Sequence, residues 1–511
     1  MVAPKAFLDF IDDHGKELID RLKEAVAIPS VSGDPARRED VKRMAAWLLE
    51  QLGRFGVNAE AVPLGEQIVD GTPSDLDLPP ILLGRIGADP KKPTVLIYGH
   101  YDVQPAQKSD GWTTEPFELH VDYSNDKMTG RGTTDDKGPV LGWVNVLEAH
   151  HALGIELPVN LRFCFEGMEE SGCEGLDALV AEEAAKGDQG YFDNVDCICI
   201  SDTCWLNTNT PGLTYGLRGV AYFHVTISGP GADLHSGFGG SVFEPMTDLI
   251  ALMSKLVTSD ARILIPGIYD GVKPASEEEI ELYNKIDFSV ADVEQAAGGK
   301  IAISDDKATV LMGRMRNPSL SLHGIVGASS GVETKTVIPA RVTGKFSLRL
   351  VPPQTPEDVK IKVETYLRSE FAKLNTKNTL ESIRMEGGSA WVEDYKHYNY
   401  EAAKNATEVS RLEHSLVGRL PTHFGGPFAS PTSSLQEIWL KTPDFFREGG
   451  SIPVTLTFAE KLGKNIVLLP MGRGDDGAHS TNEKVNISNY LQGSKLLGAY
   501  LYEVAKLAPK T

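Results

Sequence analysis

Five short motifs along this chain carry carboxylates and imidazoles of the kind that bind divalent metals. They are GHYD with His100 and Asp102, TTDDKG with Asp135 and Asp136, EGMEESG with Glu169 and Glu170, ISD with Asp202, and GAHS with His479. Most stand at the end of an apolar run. The first four lie roughly 33 residues apart, about the length of one βα unit. Hard carboxylates with two neutral imidazoles form the donor set of a site for two divalent cations. Hydrolysis of a peptide-like bond heads the short list of uses for such a site.

On a strand, residues i and i+2 share a face, so His100 and Asp102 can cooperate if the extended backbone continues. One would be the ligand, and the other would accept the second imidazole N–H. Asp135 is a candidate bridge, since one carboxylate can hold two metals about 3.5 Å apart. Its neighbour Asp136 would point elsewhere. Glu169 and Glu170 are adjacent and cannot play the same part. One would bind metal, leaving the other free to take a proton from water. Singly, each motif is ordinary: paired Asp before Gly is usually a turn or a cap, and paired Glu a solvated face. The joint occurrence at strand ends carries the reading.

The frame that must position these residues is also legible. Residues 5–27 and 36–55 have helical periodicity, with a break at IPSVSGDP. VNAEAVPL, PTVLIYGH, NLRFCFEG and CICISD predict strands, the last three continuous apolar runs. PVLGWVNVLEAHHAL and GLDALVAEEAAK predict helices between them. The alternation implies an α/β catalytic domain with a mostly parallel sheet flanked by helices. Ligands gather beyond the carboxyl ends of such strands, where His100, Glu169, Glu170 and Asp202 fall. Near residue 214 the pattern changes: LTYGLRGVAYFHVTISG alternates as a sheet solvated on one face. With SLSLHGIVG, KTVIPARVTGKFSLRLV, TLESIRMEG and two helices, it predicts an inserted α+β lid or dimerisation domain. The expected division is 1–213 (catalytic, first part), 214–390 (lid) and 391–511 (catalytic, second part), because His479 must return to the site of His100. Residues 266–310 and 420–434 read as irregular.

Composition narrows the function. With 71 acids against 50 bases the formal charge is −21, which disfavours nucleic acid and anionic membranes as partners. No apolar run approaches a membrane span, and the acid-bearing amphipathic N-terminus is unlike a secretory or mitochondrial signal, so a cytoplasmic protein is expected. The five cysteines, with no CxxC pair, read as small buried residues rather than thiolate ligands.

These motifs resemble those of the dinuclear zinc exopeptidases related to aminoacylase and carboxypeptidase G, in particular the cytosolic non-specific dipeptidase branch with carnosinase and the fungal Cys-Gly dipeptidases. The resemblance is carried by GHYDVQPA, GRGTTDDKGPVLGW, EGMEESGCEGL, DLHSGFGG, KTVIPARVTGKFSLRLVP, REGGSIPVTLTF and DDGAHSTNEK, and spans nearly the whole chain. It implies that His100, Asp135 and Asp202 hold one metal and that Asp135, Glu170 and His479 hold the other, as Zn²⁺ or Mn²⁺. It implies Glu169 as general base, Asp102 as the group orienting His100, and a cis peptide between Asp135 and Asp136. His235 would enter the partner's site in a homodimer as an oxyanion donor. Arg349, Thr336 and Ser451 would hold the substrate's terminal carboxylate. The implied activity is dipeptide hydrolysis, with Cys-Gly as a candidate substrate in glutathione breakdown. Roughly 30 residues between Arg411 and Leu440 exceed the family pattern and put substrate choice in doubt. The alternatives are an N-acyl amino acid or peptide-conjugate hydrolase, and a non-catalytic metal-binding subunit, which would have no use for Glu169.

Overall fold

The computed structural model describes residues 3–69, 72–229, 231–297, 299–329, 331, 334–414 and 442–509. Residues 415–440, most of the expected insertion at 411–440, lie outside the described residues. The chain divides into two units. One comprises Met1–Tyr215, Glu393–Phe445 and Pro453–Thr511; the other comprises Gly216–Val392 and Phe446–Ile452. The short segment Phe446–Ile452, with Ser451, therefore packs with the inserted unit, where an uninterrupted second catalytic part was expected.

The first unit is built on a sheet in the order Asn58–Val62, Ile81–Ile86, Asn160–Glu166, Thr94–His100, Cys197–Ile200, Ile466–Leu468 and Gly212–Leu217. Its four central strands run parallel. The flanking pairs are antiparallel. Thr94–His100 and Cys197–Ile200 are buried at every residue, as continuous apolar runs require of strands covered on both faces. Helices Lys137–Leu153 and Ile487–Leu507 pack on each other, as do Leu176–Ala185 and Pro453–Leu462. The core includes Trp143, Phe163, Phe165, Tyr490 and Tyr500, all fully buried. Full burial of each such side chain contributes about 1.5–3 kcal/mol. The helix expected over residues 5–27 is two, Lys5–Asp13 and Gly15–Val26. The break falls at His14, whose backbone leaves the helical region and whose ring stacks on Phe10 with Nδ1 2.9 Å from the Phe10 carbonyl.

The second unit has a four-stranded antiparallel sheet in the order Ser319–Val326, Arg341–Leu350, Gly219–Ser228 and Thr379–Gly388. Burial alternates along Gly219–Ser228, with Phe223 and Phe346 stacked under helices Pro245–Met253 and Pro356–Lys373. The single alternating run expected from residue 213 is divided at Arg218. Residues 266–310, expected to be irregular, contain helices Glu277–Lys285 and Val290–Ala297 and the start of Lys307–Met315. Two of these begin on ordinary caps: Ser276 accepts from Glu279 N and Asp306 from Thr309 N. Among the described residues no helix is long and apolar enough to cross a membrane.

Candidate metal centre

His100, Glu169, Glu170 and Asp202 stand at or just beyond the ends of central strands of the first unit, Asp135 in the loop before helix Lys137–Leu153, and His479 in the turns after Ile466–Leu468. His100 closes its strand, fully buried. Its Nε2 lies 3.0 Å from Asp135 Oδ1 and 3.9 Å from Asp202 Oδ2. Its Nδ1 faces Asp102, 3.1 Å from the carbonyl and 3.3 Å from the carboxylate. Of the open pair, His100 is thus the residue turned toward the acids, and Asp102 fixes its ring. Asp102 also accepts the backbone N–H groups of Glu169 and Glu170, at 3.3 and 3.1 Å, so one buried carboxylate holds two of the motifs in register.

On the far side of Asp135, Oδ2 lies 3.0 Å from His479 Nε2, which is in turn 3.0 Å from Glu170 Oε2. His479 has a left-handed backbone (φ 61°), uncommon for a residue with a Cβ. Two sets of potential ligand atoms result, each within 4.8 Å: His100, Asp135 and Asp202, and Asp135, Glu170 and His479. They share Asp135. A shared carboxylate between two N/O triples suits two divalent cations. The neighbouring Asp136, joined to Asp135 by a cis peptide, instead accepts His100 N at 3.1 Å.

The electrostatics express crowding of like charges. Burial pushes the Asp202 carboxyl up to about 7, reinforced by Asp135. Burial likewise holds Glu169 well above the ordinary range, opposed by His100 and reinforced by Asp202. Asp135 resists: burial raises it, but hydrogen bonds from His100 and His479 outweigh that and hold it ionised. His479 rises to about 10 through its hydrogen bonds to Asp135 and Glu170. A carboxyl raised by burial at Glu169, beside Asp135 held ionised, is the division needed for general acid–base work.

Sequence reasoning passed over Glu483. It is fully buried and accepts from Arg131 Nη1 at 2.8 Å, Gly132 N at 2.9 Å, Thr134 N at 2.9 Å and Asp135 N at 3.2 Å. Asp476 adds a bond from Thr134 Oγ1 at 3.0 Å. The loop that presents Asp135 is therefore clamped by two acids that follow one another closely in the last part of the chain. The available signal was the acid just after GAHS, which reads as a solvated face when taken alone.

The remaining predicted residues belong to the second unit. His235 is exposed in the two-residue strand Leu234–His235, paired with Val337–Ile338. Its Nδ1 accepts from Gly237 N at 3.0 Å, so the ring proton resides on Nε2, which is free to donate. Thr336 stands beside it, accepting from Ser236 N through its carbonyl at 3.1 Å. Arg349 meets Ser451, Nη1 to Oγ, at 3.3 Å.

The model of peptidase family M20/M25/M40 matches residues 96–503. The Cys-Gly metallodipeptidase DUG1 of Candida albicans is 51% identical over 500 residues, covering 98% of this chain and 96% of that protein. The Beta-Ala-His dipeptidase of Homo sapiens is 41% identical over 513 residues, covering 99% and 94%. Among solved structures, the di-peptidase Dug1p from Saccharomyces cerevisiae superposes with a TM-score of 0.84 at 46% identity, covering 99% of each chain. Human carnosine dipeptidase 1 superposes with a TM-score of 0.83 at 39% identity, covering 99% of this chain and 100% of that one.

Proposed function

Since the chain belongs to peptidase family M20/M25/M40, we propose that it is a metal-dependent dipeptidase that cleaves Cys-Gly and related dipeptides. The observation that carries this reading is the pair of ligand triples sharing Asp135, with Glu169, which belongs to neither, close enough to feel the charges of His100 and Asp202. When bound, two cations would polarise the scissile carbonyl and lower the pKa of water. His100, Asp135 and Asp202 would hold one, and Asp135, Glu170 and His479 the other. Glu169 takes the proton of the attacking water and returns it to the leaving amine, a role suited to a carboxyl whose pKa burial has raised. Asp102 keeps His100 in the tautomer that leaves Nε2 free for a cation.

At the substrate's other end, Arg349, Thr336 and Ser451 bind the terminal carboxylate, and His235 donates from Nε2 to the developing oxyanion. His235 reaches the site of a second copy in a homodimer. Support comes from the exposed apolar side chains of its unit, Phe238 and Phe243 near His235 and Leu322 and Val326 on the edge strand. Cleavage of Cys-Gly would serve glutathione breakdown in the cytoplasm.

The test is hydrolysis by the purified protein, reconstituted with Zn²⁺ or Mn²⁺, of Cys-Gly, carnosine, simple dipeptides, tripeptides and N-acetyl amino acids. Dipeptide cleavage led by Cys-Gly is expected. Cleavage confined to N-acetyl amino acids would replace this reading with that of an acyl amino acid hydrolase. Bound metal without any turnover would reduce the chain to a metal-binding subunit.

A further inference from the structure

We propose that Arg218 is a positioning residue for the carboxylate end of the substrate. It braces Arg349 and Ser451 and adds a second positive charge near them, so that the subsite favours a free carboxylate over its amide. The inference rests on the dipeptidase reading above.

Arg218 lies where the strands Gly212–Leu217 and Gly219–Ser228 part, and it is only 8% exposed. Its guanidinium donates from Nε to Gly449 O at 3.3 Å, and from Nη1 to Gly313 O at 3.3 Å, Asn317 O at 3.1 Å and Ser319 Oγ at 3.0 Å. Its own carbonyl accepts from Ser451 Oγ at 2.6 Å. That same hydroxyl takes the hydrogen bond from Arg349 Nη1. In the sheet, Ser319 stands directly across from Arg349 on one side and Val220 on the other. The groups around Arg349 are thus held by Arg218, through its side chain on Ser319 and Gly449 and its backbone on Ser451. Gly449 is required for this approach. A Cβ there would come within 2.6 Å of Arg314 O and 3.1 Å of Arg218 Nη2.

The partners of Arg218 are all neutral oxygens. Among the described residues neither Arg218 nor Arg349 has a carboxylate within ion-pair distance, while nearby Glu448 pairs with Arg314. Burial, followed by the charge of Arg349, lowers Arg218 to about 10 against the opposing charge of Glu448, which still leaves Arg218 cationic at neutral pH. The charge of Glu448 offsets part of the cost of burying Arg218, and a ligand carboxylate would offset more of it where an amide cannot. Nε and Nη1 of Arg218 are taken up by these carbonyl and hydroxyl oxygens, and its influence on the carboxylate passes through the placement of Arg349 and Ser451 and through its field.

The test compares kcat and KM for Cys-Gly and for cysteinylglycinamide in the metal-loaded wild type, R218M and R218K. R218M should raise KM for Cys-Gly about ten-fold or more, with kcat within about two-fold and a clearly smaller loss of kcat/KM for the amide. R218K, which keeps the charge, should recover part of the KM. Equal losses on acid and amide, or a fall in kcat at constant KM, would overturn the proposal. Should R218M fail to fold, S319A removes one brace, and KM should rise about two- to five-fold for the acid alone; an unchanged acid-to-amide ratio there sinks the idea. If the wild type cleaves neither peptide, the dipeptidase reading fails, and calorimetric titration with N-acetylglycine and N-acetylglycinamide reads the subsite without turnover. Preference for the acid in the wild type that disappears in R218M sustains the assignment of Arg218, and equal binding of both by the wild type ends it.

Discussion

The two units each gather side chains of like charge, of opposite sign, in part buried. In the first, Asp102, Asp135, Asp136, Asp202, Glu169 and Glu170 converge around two imidazoles. In the second, Arg218 and Arg349 share a region held by carbonyls and hydroxyls. The clusters differ in how their members are fixed. The acids hold one another's motifs, Asp102 through the N–H groups of the Glu169–Glu170 turn and Glu483 through those of the Asp135 loop. Arg218 holds the carbonyls of Gly313, Asn317 and Gly449 and Arg349 the Ser451 hydroxyl, and among the described residues neither lies within ion-pair distance of a carboxylate. Buried like charges cost stability unless something neutralises them. On the proposed function, both clusters would be completed by a ligand, cations in the first and an anion in the second.

That contrast can be broken at several points. Removal of metal with a chelator should abolish turnover and lower the melting temperature, because ions that bind only the folded acids stabilise them by mass action. Re-addition of Zn²⁺ or Mn²⁺ should restore both, and a melting curve indifferent to chelator would deny the acidic cluster its ligand. Glu169→Gln should reduce kcat by roughly 10²–10⁴-fold with the metal content unchanged by elemental analysis. Substantial residual activity would remove Glu169 from the role of base. Arg349→Met should lower kcat/KM for a dipeptide by about 10- to 100-fold, the equivalent of a charged hydrogen bond, and should act mainly on KM. Loss of metal in this variant would mean that the clusters are not independent. The smallest effect is expected from Glu483→Gln, which keeps the shape but weakens four accepted hydrogen bonds. Metal affinity should drop about tenfold with the fold intact by circular dichroism. Unchanged affinity in a competition titration would make Glu483 a core residue with no bearing on the centre.

Much of the first unit could be read from residue types, because fully buried parallel strands announce themselves as continuous apolar runs and their ligands sit at the run ends. Thr94–His100 and Cys197–Ile200 are such cases. Adjacent acids were harder to separate. Nothing local distinguishes Glu169 from Glu170 or Asp135 from Asp136; the family resemblance supplied the division, and the geometry gives its physical basis in what each carboxylate faces. Glu483 and Arg218 escaped for a common reason: each acts on segments remote in sequence, and a lone charged residue next to a motif looks like solvated surface. The helices within 266–310 were missed although their caps were present, since short polar helices in a mixed segment give a weak period. The break at His14 depended on a ring stacking on Phe10, a contact that periodicity does not encode.

The clamp formed by Glu483 also sets a timetable. Its bonds to the Asp135 loop close a span of 348 residues, and the strand Ile466–Leu468 enters the middle of the sheet between two strands made far earlier. At roughly 5–20 residues per second of translation, about 20–70 s separate the emergence of Asp135 from that of Glu483. During that interval the nascent chain has the acids of its first half but neither His479 nor the clamp. A chain that stopped before residue 479 would keep His100, Asp135 and Asp202 but would lack both the imidazole of the second triple and the clamp on Asp135.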